Sequence, residues 1–436
     1  MKMNDSVWAN TVTMPDFPHL EHDVKTDVLI IGGGLAGILC AYELEQAGVD
    51  YLLIEADRIC GGVSRNTTAK LTSQHGLIYG KLIREFGTDA ARMYWSANQE
   101  ALERYRRLSG QIPCEFEPEA AYVYSVDDRV KLELEMDALA QLGIPAQYVD
   151  RPSLPFPVAG AIRFDDQAQF HPLKFAAGIA RGLKICEHTP ARTFDGQAVL
   201  TPYGRICAGS VIVATHFPIF NKHGGYFLKM YQHRSYALAL EHAPKPDGMY
   251  VDESKTGLSF RGYGDLLLLG GGSHRTGKQG GNWAELKTFA QMHYPAARVK
   301  YRWATQDCMT LDGVPYIGQY GKGTPDLYVA TGFNKWGMTS SMVAATLLSD
   351  LIQGKENPCA PVFSPFRTVL RPQLFANILE TAVNLLTISK PRCPHLGCAL
   401  KWNPQERSWD CPCHGSRFTE GGTLLDNPAT GSLKQC

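Results

Sequence analysis

The sequence predicts an α/β fold on a largely parallel sheet, with a mixed α+β portion and a small all-β module at the C-terminus. Three observations carry that reading. A strand, a glycine-rich turn, a helix and a second strand follow one another from residue 26, in TDVLIIGGGLAGILCAYELEQAGVDYLLIEADR. Two later apolar strands, SVIVAT at 210–215 and DLYVATG at 326–332, have the buried character of the first, and the second runs into a helical MTSSMVAATLLSDLIQ. Four of the twelve cysteines lie between positions 393 and 413, interleaved with histidines.

The first unit is a complete βαβ motif. Val28 to Ile31 is a run of branched apolar residues, Gly32, Gly34 and Gly37 stand at GxGxxG spacing, and Gly48 stops the helix before the strand Tyr51–Ile54. In such a Rossmann-type unit the first glycine allows the tight turn and the second lets backbone approach a pyrophosphate. The third permits close helix–strand packing, and the helix N-terminus supplies N–H donors for the phosphate charge. Glu55 ends the second strand, where a carboxylate accepts hydrogen bonds from ribose hydroxyls and disfavours a 2′-phosphate. FAD and NAD share this fingerprint. The small and hydroxylated residues of GGVSRNTTAKLTSQHG (61–76) suit a backbone lying along an isoalloxazine ring, and a second helix N-terminus at Gly337–Thr339 offers a positive dipole for charge at that ring.

With IIGGGLAG…LLIEAD, VIVAT and the late DGVPYIG…LYVATGFNKWGMTSS, the chain resembles the D-amino-acid-oxidase-like flavoproteins of the glycine oxidase and sarcosine oxidase type from about Thr26 to Pro365. The resemblance implies a Rossmann-type FAD-binding domain in non-contiguous segments (about 26–80, 150–220 and 300–355) and a mixed α+β substrate domain (about 81–149 and 221–299). It also implies FAD held by Gly32, Gly34, Gly37, Glu55 with Ala56, and Thr67, Thr68 and Ala69, with Gly337, Met338 and Thr339 near the flavin. The expected substrate is a small amine or amino acid that loses a hydride. Lys70, His75 and Trp336 are the candidate catalytic residues, and Cys308 lies near where sarcosine oxidases attach their flavin covalently. A second glycine run, LLLLGGGSHRTGK, lacks GxGxxG spacing and reads as a turn that ends a strand.

Near the C-terminus, Cys393-Pro-His395 and Cys411-Pro-Cys413-His414 give C-x-H-x15-C-x2-H, with an extra cysteine, Cys398 and Cys413, in each loop. Tetrahedral zinc pairs like ligands within a loop. Here each loop offers one Cys and one His, the arrangement of a Rieske [2Fe–2S] cluster whose irons take two thiolates and two imidazoles. The string CPHLGC…CPCHGSRF is similar to the Rieske proteins of cytochrome bc-type complexes over about 391–433. That resemblance implies Cys393, His395, Cys411 and His414 as ligands, a Cys398–Cys413 disulfide, and a hydrogen bond from the Ser416 hydroxyl to a cluster sulfur. Phe418 replaces the tyrosine usual at its position, and few residues precede the first ligand.

The domain reading is a leader (1–25), the flavoprotein (26–365), a linker with one docking helix (366–390) and the Rieske module (391–436). Lys+Arg and Asp+Glu both total 43, so the zero net charge argues against a nucleic-acid partner. No apolar run reaches the ~18 residues that span a bilayer, and the N-terminus lacks the apolar core of a secretory signal, so a cytoplasmic location is expected. The function expected is oxidation of an amine or amino acid at FAD, with electrons passed singly through the cluster to an external one-electron acceptor. The alternatives are reverse flow from a donor protein through the cluster to FAD for a reductive or monooxygenase reaction, and a non-catalytic electron carrier.

Overall fold

The computed structural model describes residues 5–196, 198–221, 223–254, 256–388 and 391–433. The strand Val24–Ile31 lies at the centre of the first sheet, parallel to Tyr51–Ile54 on one side and to Gly204–Val213 on the other. Thr324–Thr331 continues the parallel order beyond Gly204–Val213, and Ile185–Cys186 extends it beyond Tyr51–Ile54. The C-terminal ends of the three longer strands, Val28–Ile31, Val211–Val213 and Val329–Thr331, are buried, while their N-terminal halves are partly exposed. The glycine-loop helix Leu35–Gln46 packs against the late helix Gly337–Ile352, so two helices distant in sequence bring their N-termini to one edge of the sheet.

A second sheet runs in the order 298–310, 230–241, 266–275, 259–263, 249–252, 117–125, 160–169, 70–71, with 147–149 paired beside 160–169. The strand Gly160–Gln169, and Arg298–Thr310 from residue 300 onward, fall within segments expected to belong to the FAD-binding domain, yet they pair in this sheet. Arg298–Thr310 pairs with Met230–Glu241 along nearly its whole length, and that ladder outweighs proximity in sequence. The chain therefore crosses between the sheets more often than the expected division allows.

The run LLLLGGGSHR is not a turn. It is a ten-residue strand, Leu266–Arg275, that continues past its glycines with a bulge at Gly272, where φ is +61°. A Cβ at Gly272 would lie 2.3 Å from the Asn282 carbonyl oxygen, so the missing side chain lets the start of the helix Asn282–His293 press onto the strand. The leader is also built in. Trp8 is fully buried, donates its indole N–H to the Thr67 carbonyl at 2.8 Å, and stands edge-on to Tyr263 and His171.

After the late helix the chain is pinned rather than loose. Arg367 bonds Asp312 and the carbonyls of Val314, Pro315, Val362 and Ser364, and Arg371 pairs with Glu85. The expected docking helix is Pro372–Leu386, but it docks through polar residues. Asn377 accepts from Arg275, Glu380 pairs with Lys278, and the Asn384 carbonyl accepts from the Ala399 N–H. Phe375, Leu379, Val383 and Leu386 face outward. The module that follows is a four-stranded antiparallel sheet, 401–403, 408–410, 417–419 and 424–426.

Candidate active site and metal centre

A cavity of about 880 Å³ opens along the first sheet's edge and continues over the second sheet. Its first part is lined by Gly32, Gly34, Glu55, Ala56 and the 61–68 segment, its far part by Lys70, His75, Asp307, Lys335, Trp336, Gly337 and Met338. Gly32 holds φ +110°, and a Cβ there would sit 2.6 Å from the Ala214 carbonyl oxygen. At Gly37 a Cβ would come within 1.9 Å of the Gly32 oxygen, so that glycine serves helix–strand contact and not the cavity. At Gly34, the N-cap of the helix, a Cβ would meet protein only at Ser64 Oγ, 3.4 Å away. The space in front of Gly34 is the cradle that a pyrophosphate needs.

Glu55 accepts from the backbone N–H groups of Gly33 (2.6 Å) and Asp57 (2.9 Å). Burial pushes its carboxyl pKa up against those hydrogen bonds, and the acceptor sites of a carboxylate leave capacity for a ribose hydroxyl. Thr67 and Thr68 line the cavity. Ala69 lies behind it with φ +57°, and Thr339 is buried with its hydroxyl on the Thr72 carbonyl. The leader's Trp8, which holds the Thr67 carbonyl, had no local signal in the sequence. Neither had Ser64, whose Oγ accepts from the Leu35 N–H at 3.0 Å.

At the far end the Lys70 ammonium donates to Thr68 Oγ1 at 3.3 Å. Burial, aided by the neighbouring Arg261 guanidinium, lowers its pKa to about 7. His75 is committed on both nitrogens, to the Tyr94 hydroxyl (2.6 Å) and the Thr72 carbonyl (2.8 Å), and it stacks on Trp336. Burial lowers its pKa to about 3, so the ring is neutral. His75 and Trp336 form a wall. Asp307 accepts from Ser235 at 3.1 Å, and burial raises its pKa while Lys335 and His216 oppose the rise. Cys308 is buried beside Met230 and Thr331, its thiol pushed up to about 12 by burial.

In the C-terminal module the Cys393 and Cys411 thiols hydrogen-bond each other, and the His395 and His414 rings stand 5.0 Å apart. His395 donates its Nε2–H to Asn221 Oδ1 at 2.8 Å, and His414 bonds the backbone of Phe227. Both Nδ1 atoms are buried without a hydrogen-bond partner. Two neutral imidazoles with free inward lone pairs beside two thiols match the donor set of a [2Fe–2S] centre, whose histidines bind neutral. Cys398 and Cys413 form a disulfide across the two loops, with Cα atoms 6.8 Å apart. Ser416 hydrogen-bonds Cys393, and Phe418 is fully buried.

The module sits with its histidines turned onto the flavoprotein, against Phe217 and Phe227. The Gln232 amide donates to the His414 carbonyl at 2.8 Å and accepts from His216 Nε2 at 3.2 Å, and His216 lines the cavity. Gln306 donates to the Gly415 carbonyl (2.8 Å) and Arg275 to the Pro412 carbonyl (3.1 Å). Glu406 of the module is buried between Arg234 of the second sheet and Arg417, and it accepts from the Tyr236 hydroxyl at 2.8 Å.

Fold and site together define a flavoprotein oxidoreductase with an iron–sulfur module docked on it. Residues 27–351 match the sequence model of the FAD dependent oxidoreductase (DAO) family, and residues 378–436 match the Rieske [2Fe-2S] domain. The chain belongs to the FAD-dependent oxidoreductase family and carries a C-terminal Rieske domain; its cofactors are FAD and a [2Fe–2S] cluster. Over 99% of its length it is 35% identical to YhfW of Bacillus subtilis (strain 168), whose name describes a Rieske 2Fe-2S iron-sulfur protein, and covers 97% of that protein. It is 26% identical to the gamma-glutamylputrescine oxidoreductase of Escherichia coli (strain K12), over 78% of this chain and 86% of the other. The glycine oxidase structure from Geobacillus kaustophilus superposes with a TM-score of 0.65 at 20% identity, over 79% of this chain and 99% of that one. Among the described residues no helix is long and apolar enough to cross a membrane.

Proposed function

We propose that the protein oxidises a small amine or amino-acid-like substrate at the flavin and passes the electrons singly through the Rieske centre to an external acceptor. The observation that carries this reading is the inward orientation of the module, with Gln232 joining the His414 carbonyl to His216 on the cavity wall. A cluster serving only an outside partner has no need to press its histidines against the flavoprotein. When bound, FAD accepts a hydride and releases electrons one at a time, and the cluster carries one. The glycine loop, with Gly32 and Gly34 on the cavity and Gly37 behind, would cradle the pyrophosphate, and Glu55 with Ala56 would take the ribose. Thr67, Thr68, Gly337 and Met338 line the same cavity and would contact the flavin there.

Lys70 is the group placed to take a proton from a substrate ammonium, because burial keeps its amine neutral just above pH 7. His75 and Trp336 shape the pocket, and Cys393, His395, Cys411 and His414 hold the cluster. The names of the gamma-glutamylputrescine oxidoreductase and of glycine oxidase support the substrate class. The test is anaerobic addition of amine and amino-acid libraries to the oxidised protein, following flavin absorbance and then the cluster EPR signal. A substrate that bleaches the flavin and raises the cluster signal supports the reading. Bleaching only by a reduced partner protein sinks it in favour of reverse flow. Purified anaerobically, the protein is expected to hold two irons and two acid-labile sulfides per chain, and stoichiometric zinc would refute the ligand assignment.

A further inference from the structure

The cavity is not closed by the flavoprotein alone. Its wall includes residues of the C-terminal module, from Leu424 to Thr430, facing Glu55–Arg58, Thr189–Arg192 and Thr215. Thr189 donates its N–H to the Glu55 carbonyl, which places this end of the cavity at the ribose carboxylate. The module's segment spans it from one side to the other. Arg192 donates to the Thr430 carbonyl at 3.1 Å, and Asn427 donates its side-chain amide to the Thr215 and Phe217 carbonyls.

The same segment is tied to the cluster loop. The Ala429 N–H donates to Ser416 Oγ at 3.0 Å, and that hydroxyl hydrogen-bonds Cys393. The Gln232 amide donates to both the His414 carbonyl (2.8 Å) and the Asn427 carbonyl (3.3 Å). Arg417, three residues past His414, pairs with Asp426 at 2.9 Å. One side chain of the flavoprotein thus holds cluster loop and cavity wall together.

We infer that the Rieske module is the closing wall of the FAD site, with Asn427 as its latch, so that retention of FAD depends on an assembled cluster. The inference rests on the reading that the pyrophosphate lies in front of Gly34. Segment 424–430 lies across the adenosine half, and FAD leaves only when this segment lifts. Lifting it breaks the Asn427 and Arg192 contacts and draws on the loop that the cluster rigidifies. The flavoprotein (26–365) and the Rieske module (391–436) then share a boundary at this cavity.

The experiment measures FAD release from full-length holoprotein after dilution, by the rise in free-flavin fluorescence, with iron content and the cluster EPR signal recorded for each variant. Asn427→Ala is expected to release FAD about tenfold faster with full iron and an unchanged EPR signal, the scale of its lost hydrogen bonds. Cluster-free His414→Ala is expected to release it at least as fast. Trp402→Ala, on an exposed strand of the module away from the cavity, is expected to release it at the wild-type rate. Wild-type release from both Asn427→Ala and His414→Ala, with Gly34→Val purifying empty of FAD, overturns the closure alone. Full FAD in Gly34→Val overturns the placement of the dinucleotide and the closure with it.

Discussion

Lys70 and Glu406 are two buried charges treated in opposite ways. The Lys70 amine has a hydroxyl partner and a cationic neighbour but no carboxylate against it, so burial brings its pKa down to about 7. The folded protein then binds fewer protons than the unfolded chain between about pH 7 and the ordinary lysine value, and stability rises with pH across that window. If Lys70 is the base proposed above, flavin reduction is expected to rise with pH through about 7. Lys70→Met is expected to abolish that limb and slow reduction about 10²–10⁴-fold, read by stopped-flow flavin absorbance from pH 6 to 9. If the limb survives in Lys70→Met, another group is the base. Glu55→Ala is expected to weaken FAD binding by about 1–3 kcal/mol, the scale of a charge-assisted hydrogen bond, checked by titrating apoprotein with FAD.

At the level of elements, a buried ion pair holds the module through the loop around Glu406. Burial works against its ionisation, yet Arg234 and Arg417 keep its pKa down at about 2. Its contribution is full above the ordinary carboxylate range and is lost as pH falls from there toward 2. Glu406→Gln leaves Arg234 buried without its carboxylate and is expected to destabilise docking by about 3–5 kcal/mol, seen as faster proteolysis of the module with FAD bound. Retention of wild-type protease resistance would show that the pair is dispensable. The helix Pro372–Leu386 behaves differently, because Leu379 and Leu386 stand 67% and 78% exposed. Leu379→Glu with Leu386→Glu is expected to change the melting temperature little, since surface substitutions stay within about 0.5 kcal/mol, and to lower binding of a hydrophobic dye. A large loss of stability would mean that these leucines are packed in the native protein.

For the whole molecule, buried ion pairs, the shared cavity and the pinned linker predict one calorimetric unfolding transition for the holoprotein, not two; a separate early transition for the module would contradict a docked state. What the sequence made legible was local. GxGxxG with its strands, and the Cys-x-His and Cys-x2-His loops, carry their chemistry within a few residues of spacing. What it left illegible depends on chain segments meeting across the fold. Trp8 against Thr67, Arg192 against Thr430 and the pairing of Arg298–Thr310 with Met230–Glu241 have no signature along the chain. The Gly270–Gly272 run lacks GxGxxG spacing and reads along the chain as a turn, while in the fold the missing side chain at Gly272 admits a helix. The helix Pro372–Leu386 is largely apolar in sequence, but only the fold reveals that Asn377 and Glu380 meet Arg275 and Lys278. The linker that Arg367 anchors has a consequence of its own. It makes association of module and flavoprotein an intramolecular event, with an effective concentration on the order of millimolar. Polar contacts that would let two free proteins drift apart at cellular concentrations are then enough to keep this pair closed.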